Sequence, residues 1–251
     1  GITRKEQDDF ALSSQTKTEM AQKKGNFKNE IIPTVLKSDE HPRNGMTIER
    51  LEKLKPSFKN NGTVTPGNAS GINDGAAAVV LVSEEKLRTL PVETQKRAVK
   101  ISASVLTSDP YVESGQVQPD VNTLTRNAAT QAYEMAGLGP EDLDLVELHD
   151  CFATAELIHY DNLGLCEPGG AGEFIDSGKP FRDGSMPVNV SGGLISKGHP
   201  IGATGVANIY EVATHLRGEA GDRQIEGAKV GLAHVIGLGS SCGIHILEKA
   251  S

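Results

Sequence analysis

Apolar and polar residues alternate in two ways along the second half of the chain, one helical and one strand-like. Apolar residues at helical spacing predict helices, and short β-branched runs predict buried strands. The predicted helices cover 124–135, 154–163 and 203–216, and the predicted strands cover 99–106, 143–148, 187–190, 229–236 and 243–247. Loops separate them, including one with Pro110 and Pro119 and a glycine-rich turn at 237–241. Strands that alternate with helices and end in an adjacent pair predict an α/β layered fold with a mixed sheet.

The first part of the chain carries a more polar pattern. Thr3 and the glutamate three residues later are a capping-box signal, so a helix should run from there to Gly25, with Phe10, Ala11 and Met20 on one side. Residues 26–62 hold three prolines and predict an irregular surface excursion with one short helix over 47–54.

Small residues dominate the next stretch, and the β-branched run that ends at Val82 predicts a buried strand. Residues 83–97 then predict an exposed helical linker. A ligand could lie against the backbone of four residues ahead of the run, namely Asn68, Ala69, Ser70 and Gly71. A tight packing junction explains these small residues equally well.

Composition and charge narrow the function classes. With 37% apolar and 23% charged residues in 251, the chain has the profile of an ordinary soluble protein. A net charge of −8 without a basic block argues against nucleic acid as a partner, and the apolar runs are too short for a membrane span. Three widely spaced cysteines fit neither a disulfide framework nor a zinc site. We expect free thiols in a reducing compartment, with the cytoplasm and the matrix of a peroxisome or mitochondrion left open.

The most conspicuous stretch is glycine-dense, runs from 191 to 205 and holds one histidine, His199, followed by Pro200. Glycine density lets the backbone approach a ligand closely, and the proline restricts the path of the loop. The helix predicted from Ala203 would place its free N–H groups near His199, a position suited to stabilising an oxyanion. The alternative is a glycine-rich connection with a histidine satisfied inside the protein.

A second loop, His149-Asp-Cys-Phe152, follows the strand predicted over 143–148. Ligands of α/β sheets gather outside the strand ends, so this loop and the His199 loop could converge. Cys151 with two histidines would then allow thiolate formation, proton transfer and oxyanion binding in one pocket. The two loops could also be unrelated. A metal site at 149–151 is disfavoured, because consecutive side chains point in different directions.

Three motifs resemble the thiolase family in order and in residue type. They are Gly-Asn-Ala-Ser-Gly-Ile-Asn-Asp-Gly-Ala-Ala at 67–77, Gly-His-Pro-Ile-Gly-Ala-Thr-Gly at 198–205 and the closing glycine-rich hairpin. The resemblance covers essentially the whole chain and is to the C-terminal part of a thiolase. His149-Asp-Cys-Phe152 stands where many thiolases carry Asn-Glu-Ala-Phe, and this variant resembles the branch linked to sterol carrier proteins.

The resemblance implies an acyl-CoA C-acyltransferase that cleaves 3-oxoacyl-CoA by thiolysis or joins CoA thioesters by Claisen condensation. His199 would activate a nucleophilic cysteine and bind the thioester oxygen, and His149 would contribute to an oxyanion hole. Cys151 would be the acid/base cysteine, because Val235 stands where most thiolases carry that residue in a Cys-x-Gly sequence. Coenzyme A would be a substrate, with no permanently bound cofactor and no metal. Its pantetheine arm would lie along Asn68, Ala69, Ser70 and Gly71.

The resemblance also implies a domain organisation. Residues 1–61 would end the loop domain that receives coenzyme A, residues 62–97 would supply the last helix and strand of the N-terminal thiolase domain plus a linker, and residues 98–251 would form the C-terminal domain. The nucleophilic cysteine of the family lies upstream of this region. We therefore expect a fragment, a cleavage product or a split subunit that is inactive alone and needs the missing half, with an apolar face exposed over 72–82. The complete protein is expected to be a homodimer or tetramer.

Two other functions stay open. One is a thiolase-like retro-aldolase acting on steroid side-chain CoA esters, which needs no nucleophilic cysteine. The other is a non-catalytic module that binds acyl-CoA or lipid. Retro-aldol cleavage measured against thiolysis would separate the first from a thiolase, and substitution of Cys151 and His199 would separate the second.

Overall fold

A computed structural model describes residues 2–33, 36–108, 121–237 and 241–250. The predicted loop with Pro110 and Pro119 and the central positions of the turn at 237–241 lie outside these residues. Contacts divide the chain into two compact units. Unit 1 comprises Gly1–Gly75, His149–Leu157 and Ser191–Ile201, and unit 2 comprises Ala76–Leu148, Ile158–Val190 and Gly202–Ser251.

Helices and strands follow the predicted order over most of the chain. The helices are α1 (Arg4–Lys24), α2 (Ile48–Glu52), α3 (Glu84–Arg88), α4 (Val92–Lys96), α5 (Val121–Ala136), α6 (Ala153–Asn162), α7 (Ala171–Asp176), α8 (Gly193–Lys197) and α9 (Thr204–Arg217). The strands are β1 (Val99–Ser108), β2 (Leu145–Glu147), β3 (Val230–Gly237) and β4 (Ser241–Lys249). Short 3₁₀ turns occupy Pro140–Asp142 and Gly221–Arg223.

Unit 2 is built on a four-stranded sheet of order β1-β4-β3-β2. The β1/β4 and β3/β4 pairs are antiparallel and β2 runs parallel to β3, so the predicted mixed sheet is confirmed. Helix α9 packs on the sheet through the apolar stripe that its sequence predicts, and helix α5 packs on β1 and β4. One buried core cluster of this unit consists of Leu145, Val212, Leu216, Ala228, Ala233 and Leu247.

Two predicted strands do not form. In the run 187–190 only Val188 makes a single bridge, to Val146, because Asn189 adopts φ +50, outside the extended region. Residues 76–82 form no strand either, and Val80 is 91% exposed. An apolar strand is stable only when neighbours bury it, and the described residues of unit 2 offer this run none. The same residues therefore form the exposed apolar stretch that the resemblance implied, and no helix forms over 62–83.

Unit 1 is organised on α1, which begins with the predicted capping box: the Thr3 hydroxyl accepts from the Glu6 amide, and the Glu6 side chain accepts from the Thr3 amide. The buried face of this helix is polar, and Met20 is 53% exposed, so Met20 does not share the buried side with Ala11. The buried residues of α1 are Gln7, Asp8, Ala11, Ser14, Gln15 and Thr18. Their spacing is that of a helical stripe, in which hydrogen bonds of the polar residues accompany a small apolar cluster of Ala11 with Ala153 and Ile195.

Asn68 is the main partner of this polar stripe in the small-residue stretch, and it is 1% exposed. Its Nδ2 donates to Asp8 Oδ1 at 2.8 Å and to the Thr63 carbonyl at 3.0 Å, while its Oδ1 accepts from the Thr65 amide at 2.8 Å. The side chain thus joins α1 to the stretch that contains Ser70 and Gly71.

No helix among the described residues combines the length and apolarity that crossing a bilayer requires.

Replacing Asn68 by alanine should lower the free energy of unfolding by about 2–3 kcal/mol, because three hydrogen bonds are lost, two of them buried, and Asp8 loses a donor. Urea unfolding of the variant measures the loss. Asn60→Ala is the matched control, since Asn60 is exposed and its substitution should change stability by less than about 0.5 kcal/mol. Equal stability of the two variants would contradict the role given to Asn68.

The burial of His159 in unit 2 predicts that the folded protein loses stability in acid. Its ring is 3% exposed and packs edge-on against His234 at 4.5 Å between centroids, and burial lowers its pKa from 6.5 to about 4. Because the unfolded chain binds the proton more readily, stability is intact above pH 6.5 and falls as the pH drops from 6.5 towards 4. Between pH 7 and pH 5, the free energy of unfolding should fall by about 2 kcal/mol more in the wild-type protein than in His159→Gln. Urea unfolding at the two pH values measures this difference. An unchanged pH dependence in the variant would rule this out.

Candidate active site

A short extended strip, residues 68–73 of unit 1, binds both predicted catalytic loops through backbone hydrogen bonds. On one side the Ser70 amide donates to the Cys151 carbonyl at 3.0 Å, and Ala69 forms an antiparallel bridge with Phe152. On the other side the His199 amide donates to the Gly71 carbonyl at 2.9 Å, within a parallel bridge between residues 72 and 199. The strip therefore fixes the backbones of both loops at once.

The two histidine rings meet at this site. The centroids of His149 and His199 are 4.8 Å apart, with an angle of 57° between the ring planes. His149 is 5% exposed, whereas His199 is half-buried and remains accessible to a ligand. The predicted convergence of the two loops is thus observed, and Cys151 lies two residues beyond His149 on the same loop.

The path of the His199 loop is set by Gly198 and Asn73. Gly198 has φ +87, and a Cβ on it would collide with the Asn73 side chain. Asn73 Oδ1 in turn accepts a hydrogen bond from the His199 amide at 3.2 Å. A residue with a side chain could not occupy position 198 without displacing the amide that orients His199.

Burial controls the protonation of the site. It raises the pKa of the Cys151 thiol to about 11, with a further contribution from the charge of Asp150, so the resting cysteine holds its proton. Burial also lowers the pKa of His199, which favours the neutral ring. A neutral imidazole and a protonated thiol are groups that exchange protons, and neither needs a counter-ion.

The substrate-binding residues predicted on the strip differ in what they offer a ligand. Ala69, Ser70 and Gly71 are partly exposed and lie between the two loops. A Cβ at Gly71 would meet the ring of His41, whose Nε2 lies 3.3 Å from the Ile195 carbonyl. The Asn68 side chain is already bonded inside unit 1, and its contact with coenzyme A stays a prediction.

The other two cysteines lie outside this site. Cys242 on β4 is fully buried, and burial raises the pKa of its thiol to about 12. Cys166, between α6 and α7, also has a raised thiol pKa, caused by burial and by Asp161 and Glu167. Both belong to unit 2, and all three cysteines are free thiols. Within the described ranges, no cluster of three histidine, cysteine or acidic side chains could hold a metal ion.

Three residues that support the site were not identified from the sequence, namely Asn73, His41 and Gln15. Asn73 lies within the motif at 67–77 but nothing in the motif singles it out, and His41 lies in a loop with no periodicity. Gln15 carries a signal, since it belongs to the polar stripe at helical spacing on α1, and such a stripe indicates hydrogen bonds to a neighbouring backbone. The short helix α8 is also missed, because its glycines suggest a loop.

Known proteins resemble both the sequence and the fold. Sterol carrier protein 2 of Rattus norvegicus is 45% identical over 198 residues, which cover 78% of this chain and 35% of that protein. An acetyl-CoA acetyltransferase of Syntrophomonas wolfei is 37% identical over 260 aligned positions, which cover 100% of this chain and 57% of the relative. The crystal structure of the Bacillus anthracis acetyl-CoA acetyltransferase has a TM-score of 0.74 and 30% identity, covering 99% of this chain and 57% of that one.

The chain spans less than two thirds of the length of each of these relatives. Two family models match it in order along the sequence. The model of the thiolase N-terminal domain matches residues 1–85, and the model described as thiolase C-terminal domain-like matches residues 112–249. The chain therefore belongs to the thiolase family.

Proposed function

We propose that this chain is the distal part of an acyl-CoA C-acyltransferase, which cleaves 3-oxoacyl-CoA by thiolysis or forms it by Claisen condensation. The observation that carries the proposal is the 4.8 Å approach of the His149 and His199 rings, on two loops bound by one strip, with Cys151 two residues after His149. The name of one relative, acetyl-CoA acetyltransferase, supports the same chemistry.

Cys151 acts as the acid/base group in this proposal, and its high thiol pKa suits the order of proton transfers. In thiolysis, a nucleophilic thiolate attacks the 3-oxo carbonyl and the bond between C2 and C3 breaks. The electron pair left on C2 takes a proton from the Cys151 thiol, which releases acetyl-CoA. The Cys151 thiolate then removes the proton of the incoming coenzyme A, whose sulfur takes the acyl group from the enzyme. The cycle begins and ends with a protonated Cys151, as burial favours.

The two histidine rings supply the oxyanion stabilisation. The backbone amide of His199 is already occupied by Gly71 and Asn73, so its ring is the group that can donate to a thioester oxygen. A neutral ring keeps one N–H donor, and His149 offers a second ring at the same place. Donors of this kind typically contribute about 3 kcal/mol each to transition-state stabilisation.

The nucleophile in this proposal is a cysteine outside the present chain. Burial raises the thiol pKa of each of the three cysteines, whereas a nucleophilic cysteine needs a lowered pKa to form its thiolate. The other half of a thiolase, supplied upstream or by a complementary chain, would carry it. This chain alone is then inactive.

Coenzyme A is the proposed second substrate, with its pantetheine arm along Ala69, Ser70 and Gly71 and with Asn68 beneath them. The strip keeps an exposed side between the two loops, which supports this placement. The proposal retains the domain boundaries 1–61, 62–97 and 98–251, a homodimeric or tetrameric complete enzyme, and a reducing compartment.

One observation favours a second candidate, a retro-aldolase acting on steroid side-chain CoA esters. Such an enzyme needs a proton-transfer group and an oxyanion hole but no nucleophilic thiolate, and all three thiols of this chain have raised pKa values. Assay of the full-length gene product for thiolysis of acetoacetyl-CoA and for retro-aldol cleavage of a β-hydroxy steroid CoA ester separates the two.

In the full-length gene product, Cys151→Ala should lower the kcat of thiolysis by about 10²- to 10⁴-fold, because the proton donor to C2 is lost. His199→Ala should lower it by about 10²- to 10³-fold, because an oxyanion donor is lost. Initial rates with acetoacetyl-CoA and coenzyme A measure both effects. Cys166→Ala is the matched control and should keep wild-type rates. Wild-type rates in Cys151→Ala and His199→Ala would overturn the proposed function and leave a binding module.

A further inference from the structure

Asp150 belongs to the Cys151 loop, residues 149–152, and contacts the glycine-rich loop. The proposed reaction gives this residue no role. The residue is 1% exposed. Its Oδ1 accepts a hydrogen bond from the Leu194 amide at 2.7 Å. Leu194 is the second residue of α8, so this carboxyl group satisfies a backbone donor that the first turn of a helix leaves without a partner.

Gly193 is complementary in shape to this carboxyl group. It adopts φ +68, and a Cβ at this position would collide with both carboxyl oxygens of Asp150. The approach of the carboxyl group to the helix therefore requires glycine at 193 for two reasons, the backbone angle and the missing side chain. Asp150 and Gly193 together set how closely α8 approaches the Cys151 segment.

Helix α1 holds carbonyl groups of α8 and of Gly192, the residue before it. Ser14 Oγ donates to the Gly192 carbonyl at 3.0 Å, and Gln15 Nε2 donates to the Ile195 carbonyl at 3.1 Å. Only Gly198 separates the end of α8 from His199. A shift of α8 caused by loss of the Asp150 contact would therefore be transmitted directly to the His199 backbone.

The groups that face Asp150 come from several elements. Glu156 on α6 and Lys197 on α8 act on its carboxyl group, Lys17 on α1 acts on Glu156, and Cys151 follows it in the chain. Burial raises the pKa of Asp150, as does the charge of Glu156, while the Leu194 amide and Lys197 oppose the rise. The balance is thus shifted towards the protonated carboxyl group, and in either form an oxygen of this group can accept from the Leu194 amide.

We propose that Asp150 is a positioning residue, which anchors α8 through the Leu194 amide and thereby holds His199 in register with His149 and Cys151. Its effect on turnover rests on the proposed function. Its effect on the neighbouring thiol does not rest on the proposed function. At alkaline pH the ionised Asp150 carries a negative charge, which opposes formation of the Cys151 thiolate whatever reaction the site performs.

Steady-state kinetics of the full-length gene product test the first effect. Asp150→Ala removes the acceptor and should lower kcat by at least about tenfold with KM within about threefold, because geometry and not substrate binding is lost. Asp150→Asn keeps an oxygen that can accept from the Leu194 amide, and should restore kcat to within about threefold of wild type. Wild-type kinetics in Asp150→Ala, or equal damage in both variants, would overturn the positioning role.

A pair of glycine variants perturbs the same contact from the other side. Gly193→Ala drives a Cβ into Asp150 and should lower kcat as Asp150→Ala does. Gly137→Ala is the matched control, because Gly137 has φ +69 and nothing lies within 4 Å of an added Cβ. This variant therefore introduces backbone strain without a steric collision. Equal kcat in the two variants would contradict the inference.

Alkylation of Cys151 by iodoacetamide, followed across pH by peptide mass spectrometry, tests the second effect without any enzymatic assay. Asp150→Asn should lower the midpoint pH of Cys151 alkylation by about one unit, while the midpoint of Cys166 stays in place as an internal reference. An unmoved Cys151 midpoint would overturn the coupling. Absence of thiolysis in the wild-type protein would count against the proposed function only, since the alkylation result does not depend on it.

Discussion

The site depends on the backbone hydrogen bonds of one extended strip, residues 68–73. Edge pairing of this kind fixes register as well as distance, because each amide has one acceptor at the correct spacing. The Cys151 loop binds one side of the strip and the His199 loop binds the other. Two segments that are distant in sequence are therefore aligned to each other through a third, and the hydrogen bond from the Leu194 amide to Asp150 joins them directly as well.

Burial shifts the protonation equilibria of the site. Removal of water favours the uncharged form of an ionisable group, so burial raises the pKa of Cys151 and of Asp150 and lowers the pKa of His199. Proton transfer from the Cys151 thiol creates a negative charge, and donors that are already oriented, such as the ring N–H groups, can stabilise developing charge without rearranging.

Local patterns predicted the sheet of unit 2 because periodicity reports which face of an element is buried, and that information is contained in neighbouring residues. They failed where the deciding contact is remote or the backbone is unusual. The strand at 187–190 is interrupted by the positive φ of Asn189, and the run 76–82 has no described neighbour to bury it. At the site, His149, Cys151 and His199 could be predicted from residue type and from the position of their loops. Asp150 could not be predicted in this way, because its importance lies in one contact with the Leu194 amide of α8. The glycines around α8 suggest a loop and not a helix.

The polar face of α1 has a thermal consequence. Burial of apolar surface is the part of protein stability that weakens on cooling and that produces the heat-capacity change of unfolding. Helix α1 contacts the glycine-rich loop through hydrogen bonds from Ser14 and Gln15 to carbonyl groups and through a small apolar cluster of Ala11, Ala153 and Ile195. The anchoring of the catalytic loop therefore depends less on the cold-sensitive term than the larger apolar core of the sheet does.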